Sequence, residues 1–483
     1  MPGKRERRPA GRALRPPRGP LPARALLLLA ALLFGLRCAA ARAGVTLDGE
    51  IRERFEAWNG LNKKAYGDAA VDSAGTVRGE PDDRLLLQRV VAGLTGEGRR
   101  IDWRLHLYDA RVWGWSLDQD DFVKNRGTSD EVVMDPYEEY LELYDAQVTI
   151  KGIGTRQSRL VLGRQVIWYG DRRVFGPGSW GNAIGWLWDA ARYSLRRGRD
   201  FADVWYGQTK TKDPESLSLA ARHAYQGVGL YARHAWSATG GVEPFFAWKK
   251  ARFFDRDRRE DTRFFGCRLY EDDWRGLWFD LTWIRETGRF EDRRGPDPDV
   301  SAYAYVAKAG WTFRDLPWRP RLGLGRVYAS GDPRPGDDRV RTFSSPFGST
   351  DGRHYGRLDV MSWGNMVDDQ ASLDLAPRPG LSVHLALHRF SLAEKADKWT
   401  YYGYRVPGNR HAHIGDEFDA VIQWRPARDW DVQVFYAVLR AGDFITENGI
   451  ARNDAGRLVC QVTWRFAAPL DTAAPQSSKE VSP

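Results

Sequence analysis

Residues 458–466 place Leu458, Cys460, Val462, Trp464 and Phe466 on one parity, with Gln461, Thr463 and Arg465 on the other. Period two marks an extended strand with one oily and one wet face. The same alternation recurs from residue 45 onward, and it limits the possible folds more than any other feature of the chain. A soluble sandwich turns the oily face inward; a membrane barrel turns it outward.

Marking each alternating segment gives about eighteen strands: 45–58, 82–95, 100–112, 139–151, 158–169, 186–196, 200–209, 227–236, 241–251, 261–271, 275–287, 299–312, 319–330, 368–376, 380–391, 416–425, 429–440 and 457–466. Most run ~9–14 residues, which suits a tilted strand crossing a bilayer; strands of soluble proteins centre on ~5–6. The connections also alternate. Short ones, as at 95–98, 197–199 and 378–380, take turns with long ones, as at 59–81, 113–138, 331–367, 392–415 and 441–456. Outer-membrane barrels have this asymmetry of short periplasmic turns and long external loops.

The charges fall on one parity. Asp48, Glu50, Arg52, Arg54 and Glu56 oppose Val45, Leu47, Ile51, Phe55 and Ala57, while Asp102, Arg104 and His106 oppose Ile101, Trp103, Leu105 and Leu107. A charge on the lipid face at mid-bilayer costs ~2–4 kcal/mol, so the charged rows are expected to line a wet lumen on nearly every wall. The expected fold class is all-β, a transmembrane antiparallel up-and-down β-barrel of about eighteen strands over residues 44–466.

Residues 1–43 read as a signal peptide, with a basic stretch including Lys4, Arg5, Arg7 and Arg8, an apolar run from Ala25 to Leu36, and Ala41-Arg42-Ala43 before the expected cleavage. The apolar run is too short for a helical span of ~20 residues. The net charge of +9 belongs to this segment: residues 1–43 hold ten Lys/Arg and one acid, leaving 63 basic and 63 acidic residues. No nucleic-acid partner is therefore expected. Cys267 and Cys460 lie on apolar parities and read as small hydrophobes. Residues 467–483 read as a disordered tail.

Several local motifs carry a resemblance. They are Leu162 to Gly176 (LGRQVIWYGDRRVFG), Asn182, Asp189 to Arg192 (DAAR), Ala329 to Asp332 (ASGD), and a long loop with Phe343, Phe347, His354 to Asp359 (HYGRLD) and Asn365. In these residues and in its strand count the chain resembles the alginate-export family of outer-membrane porins. The resemblance implies an eighteen-stranded barrel in the bacterial outer membrane that passes a polysaccharide or another small hydrophilic solute. It also implies a ring of inward arginines that draws an anionic polymer.

From alternation, the candidate lumen-lining cations are Arg52, Arg54, Arg104, Arg192, Arg196, Arg233, Arg268, Lys308, Arg425 and Arg465, joined by Arg164 of the GRQ motif. Asp48, Glu50, Asp102, Asp203, Asp280, Asp419 and Asp431 oppose them. The mixed signs fit either an anion-selective constriction or a ladder of ion pairs that satisfies buried charge. The loop 331–367 is expected to fold inward and narrow the lumen.

Other signals carry less. His384 and His388 are four apart on a strand, ~13 Å, too far to share a metal, so they read as lumen-lining. His411 and His413 near Asp416 and Glu417 suggest at most a weak divalent-ion site on an outer loop. No nucleophile elbow is found, and no enzyme, cofactor or metal is expected. The expected partners are outer-membrane lipid and lipopolysaccharide, the outer-membrane insertion machinery, and the polysaccharide or small solute. The rival readings are a general or small-organic-anion porin and a plugged barrel serving adhesion or surface assembly.

Overall fold

The computed structural model describes residues 44–124, 131–176, 181–210, 214–215, 217, 223–251, 258–292, 297–348 and 351–470. The segment expected to be a signal peptide and nearly all of the expected tail lie outside them. Eighteen long strands follow in chain order: Gly44–Asn59, Arg84–Glu97, Ile101–Trp113, Glu139–Lys151, Ser158–Val166, Leu187–Arg197, Asp200–Lys210, His223–Arg233, Gly240–Ala251, Arg258–Trp274, Leu277–Asp292, Asp299–Thr312, Arg321–Ala329, Met366–Arg378, Leu381–Ser391, His413–Trp424, Trp430–Ala441 and Ala455–Pro469. Each pairs antiparallel with the next, and the last returns to the first, from Thr46 opposite Pro469 to Asn59 opposite Gly456. That final pairing closes the sheet and removes both edges. It also carries the last strand three residues past Phe466, where the sequence had suggested a tail.

The oily parity faces outward. Leu230, Leu281, Trp283, Leu324, Leu387, Ile422 and Trp464 are exposed, and Cys267 and Cys460 share their parity. The opposite parity is buried in the barrel, as with Glu243, Phe245, Ala247 and Lys249 on one strand. Among the described residues no helix is long and apolar enough to cross a membrane; the strands do the crossing.

The interior departs from a uniformly charged lumen. On the strands from Leu187 to Ala329 part of the inner wall is apolar: Trp188, Trp205, Tyr231, Phe245, Phe264, Ile284, Ala302, Ala304, Val327 and Ala329 join one buried cluster. They pack against Phe343, Phe347, Tyr355, Leu358, Met361 and Trp363 from the loop after residue 329, and against Tyr169, Val174 and Phe175 from the loop after residue 166. The expectation of charge on nearly every wall is corrected here. Period two shows which residues point inward, but not that a folded-back loop replaces the water they would meet.

Candidate functional site: a loop plug and a cationic wall

Two loops meet inside the barrel. The Phe347 amide donates to the Val174 carbonyl at 3.2 Å and the Gly176 amide to the Phe347 carbonyl at 3.1 Å, a short parallel bridge between 167–186 and 330–365. The Ser345 hydroxyl donates to the Arg173 carbonyl at 2.9 Å. The Phe347 ring lies 4.9 Å from Trp188, 5.6 Å from Trp205 and 6.0 Å from Phe175, centroid to centroid. The seam therefore locks into the wall through aromatic contacts, each worth ~0.5–1.5 kcal/mol beyond area burial.

The YGDRR stretch supplies the polar half of the plug. Tyr169 stacks on Tyr231 at 4.6 Å and donates to Asp203 at 3.0 Å, while Tyr231 donates to Glu243 at 2.7 Å. Gly170 adopts φ +54, and a Cβ there would sit 2.5 Å from the Tyr231 hydroxyl, so the tight approach requires glycine. Arg173 binds Asp171 at 2.9 Å through Nε, meets His354 Nδ1 at 3.3 Å through Nη2, and lies over the Tyr355 and Trp363 rings. His354 Nε2 is 3.0 Å from the Asp171 carbonyl, so a neutral ring donates there and accepts from Arg173. Burial, and then the Arg173 charge, hold the His354 pKa well below the ordinary histidine value. Burial would raise the Asp171 carboxyl, but the Arg173 charge and the hydrogen bond from the Arg173 amide outweigh it and hold that pKa below the usual range.

Wall carboxylates anchor the plug backbone. Glu417 accepts from the Leu358 amide at 2.8 Å, Asp419 from the Arg357 amide at 2.9 Å, and Glu286 from the Ser344 amide at 2.9 Å. Asp419, expected to oppose a lumen arginine, instead satisfies a loop donor that would otherwise be buried without a partner. Arg172, Asp359 and Asn365 hold left-handed backbone at φ 70, 63 and 45, strain that the surrounding contacts must offset.

The sequence-derived cations divide into groups. Arg164 and Arg268 are each held by two carboxylates, Arg164 by Glu142 and Asp189 and Arg268 by Glu243 and Asp280. Arg104, Arg196, Arg425 and Arg465 lie near the short-turn ends of their strands with about half or more of each side chain exposed; they face Asp145, Asp203, Asp431 and Glu50. Arg192, Arg233 and Lys308 are half-buried on the inward parity, with no carboxylate in ion-pair contact among the described residues. Arg52 is buried and, among the described residues, donates only to neutral oxygens, including Asn182 Oδ1 at 2.6 Å and the Gly181 carbonyl at 3.2 Å.

The first, second and last strands concentrate positive charge. Arg54 and Arg457 share Glu56, each at 2.8 Å, and Arg89 and Arg465 share Glu50 at 2.6 and 3.8 Å. Lys63 of the neighbouring loop pairs with Asp359 of the plug. Including Arg52, six cations thus meet Glu50, Glu56 and Asp359, while Asp48, the fourth carboxylate of this wall, faces His106 at 3.1 Å. The candidate cations named from sequence leave out Arg89, Arg457, Lys63, Arg173, His354 and Arg357, although Arg173, His354 and Arg357 fall within the motifs at 162–176 and 354–359. Arg89 and Arg457 carry the inward parity and were legible; the other four sit in loops, where no periodicity marks direction.

His384 and His388 contact different carboxylates, Asp374 at 2.7 Å and Asp368 at 3.1 Å, as separate lumen-lining groups. His413 and Asp416, expected on an outer loop, lie instead in the strand His413–Trp424, 3.3 Å apart.

The pattern of the alginate export family matches residues 59–457. The chain belongs to the alginate export family. No curated protein matches it. Among solved structures, Pseudomonas aeruginosa OccK11 (OpdR) superposes with a TM-score of 0.52 at 11% identity, covering 88% of this chain and 98% of that one. The P. aeruginosa outer membrane protein opdK gives 0.52 at 10%, covering 88% and 99%. Acinetobacter baumannii OccAB3 gives 0.55 at 10%, covering 87% and 99%. At these identities the likeness shows the fold alone. Family and fold together point to an outer-membrane channel of the porin kind.

Proposed function

We propose that this alginate export family member passes an anionic polysaccharide of the alginate type by passive movement through the lumen, with the loop plug setting the width. The observation that supports this reading is the cation surplus on the wall formed by the first, second and last strands. Two carboxylates are each shared by two arginines there, and Arg52 has only neutral acceptors. A cation already held by one full carboxylate adds little field to a passing anion; a shared or unpaired one retains most of its pull. Arg192 and Lys308 extend the unpaired set inside the barrel. Half-buried Arg192 and Lys308 are the residues proposed to meet the polymer, with buried Arg52 and Arg54 adding to the field from the wall. Arg164 and Arg268, closed by paired carboxylates, hold the wall.

The test is reversal potential in planar bilayers under a salt gradient. The native channel is expected to prefer anions and to be blocked by soluble oligouronates. A channel carrying Arg52→Gln and Lys308→Gln is expected to lose about twofold or more of that preference. Cation preference in the native channel, or an unchanged potential in the variant, rejects the proposal. A small-organic-anion porin would show the same ion preference without block by oligouronate.

A further inference from the structure

The outward face carries a row of charge that the lumen chemistry does not use. Arg326 stands opposite Asp369, Asp369 opposite Arg389, Arg389 opposite Asp416, and Asp416 opposite Arg440, five residues in direct register across five adjacent strands with alternating sign. All five lie within three residues of the long-loop ends of their strands. They share the parity of exposed Leu324, Leu387 and Phe418, so they point away from the lumen.

Directly beneath, a second row in the same register is wholly apolar: Leu324, Ala371, Leu387, Phe418 and Val438. Ala371 is the short member between two leucines. The apolar row and, of the charged row, Asp369, Arg389, Asp416 and Arg440 line a depression of about 770 Å³ on the outer wall, within the ~300–1,000 Å³ range of small-ligand sites.

The two ends of the charged row differ. Arg326 and Asp369 close on each other through two bonds of 2.6 and 2.9 Å. At the other end Arg389 is 65% exposed and its Nε stands 3.8 Å from Asp416, beyond hydrogen-bond reach, while Asp416 also meets His413 at 3.3 Å. Arg440 is exposed and has no carboxylate in ion-pair contact among the described residues. Two guanidinium groups are thus available above an apolar hollow. Facing plain hydrocarbon, they would be costly. Facing a phosphate, each offers a planar fork of donors that matches its oxygens.

We infer that this face binds a phosphorylated glycolipid of the outer leaflet, with a headgroup phosphate on Arg389 and Arg440 and an acyl chain in the hollow over Ala371. The placement rests on the long loops being external, and it is independent of what crosses the lumen. The charge row marks the headgroup level and the apolar row the start of the hydrocarbon.

Native mass spectrometry of the full-length barrel released from detergent tests it, with lipid A, dephosphorylated lipid A and phosphatidylglycerol as probes. Lipid A is expected to stay bound, and the Arg389→Ala/Arg440→Ala variant to retain it at least about tenfold more weakly, the loss of two charge-assisted contacts. Ala371→Trp, which fills the hollow and leaves the charges and the oily outer face intact, is expected to lose it to a similar degree. Equal retention of the dephosphorylated lipid or of phosphatidylglycerol overturns the assignment, as does undiminished binding by either variant. A dimer of barrels broken by Ala371→Trp with no lipid retained also overturns it, in favour of a second copy on this face. None of these substitutions touches the lumen, so conductance and ion preference are expected to stay native, and failure here is separable from failure of the transport proposal.

Discussion

A Phe347→Ala channel is expected to conduct severalfold more current than the native one while its barrel remains folded. Phe347 is almost completely buried, and its ring meets Trp186, Trp188, Trp205 and Phe175 where the two plug loops join. Truncating a buried phenylalanine costs ~3–5 kcal/mol through lost transfer energy and the cavity left behind. Here that loss falls on the docking of a loop. The strands keep their own ladder of pairings and their lipid-facing rows, so the weakened element is the plug. Single-channel recording, paired with limited proteolysis of the 330–365 loop in detergent, reads the outcome. Unchanged conductance with unchanged cleavage would show that the aromatic seam does not hold the loop in place.

Acid is expected to loosen the same plug through His354. The neutral ring accepts from Arg173 and donates to the Asp171 carbonyl, and protonation removes the acceptor and sets a second cation beside the guanidinium. The folded pKa lies well below the ordinary value, with burial as the largest cause and Arg173 next. A histidine with a depressed folded pKa favours the docked state fully above its free value of ~6.5, and that contribution declines as pH falls from there toward the folded pKa. Open-state occupancy is therefore expected to rise between about pH 6.5 and pH 5, each tenfold change in the equilibrium corresponding to about 1.4 kcal/mol. A His354→Gln channel should lose that pH response while remaining assembled. If the variant keeps the native response, the titrating group lies elsewhere.

The strands were legible because alternation is written locally. In Ala455–Pro469 each outward position is apolar from Leu458 to Phe466, and membrane hydrocarbon on one side enforces that pattern residue by residue. Strand ends moved by a few residues; the strand expected at 227–236 runs His223–Arg233 because its pairing with the preceding strand, not its own composition, sets the register. The inward direction of Arg52, Arg54, Arg268 and Lys308 was legible on the same grounds. Their partners were not. Arg268 meets Glu243 from 25 positions away, and Arg52 meets Asn182 from 130 positions away.

The sequence by itself determined the closed antiparallel sheet, its eighteen strands and the side that meets lipid, since each follows from a period of two and the length needed to cross a bilayer. Only the tertiary structure decided that part of the lumen is filled by aromatic packing against inward loops, and that, among the described residues, Arg52 has no carboxylate in ion-pair contact while Arg268 has two. It alone brought Arg326, Asp369, Arg389, Asp416 and Arg440 into one row across separate strands. Such relations depend on register and loop return between distant segments, and hydrophobic periodicity within a strand carries no record of either.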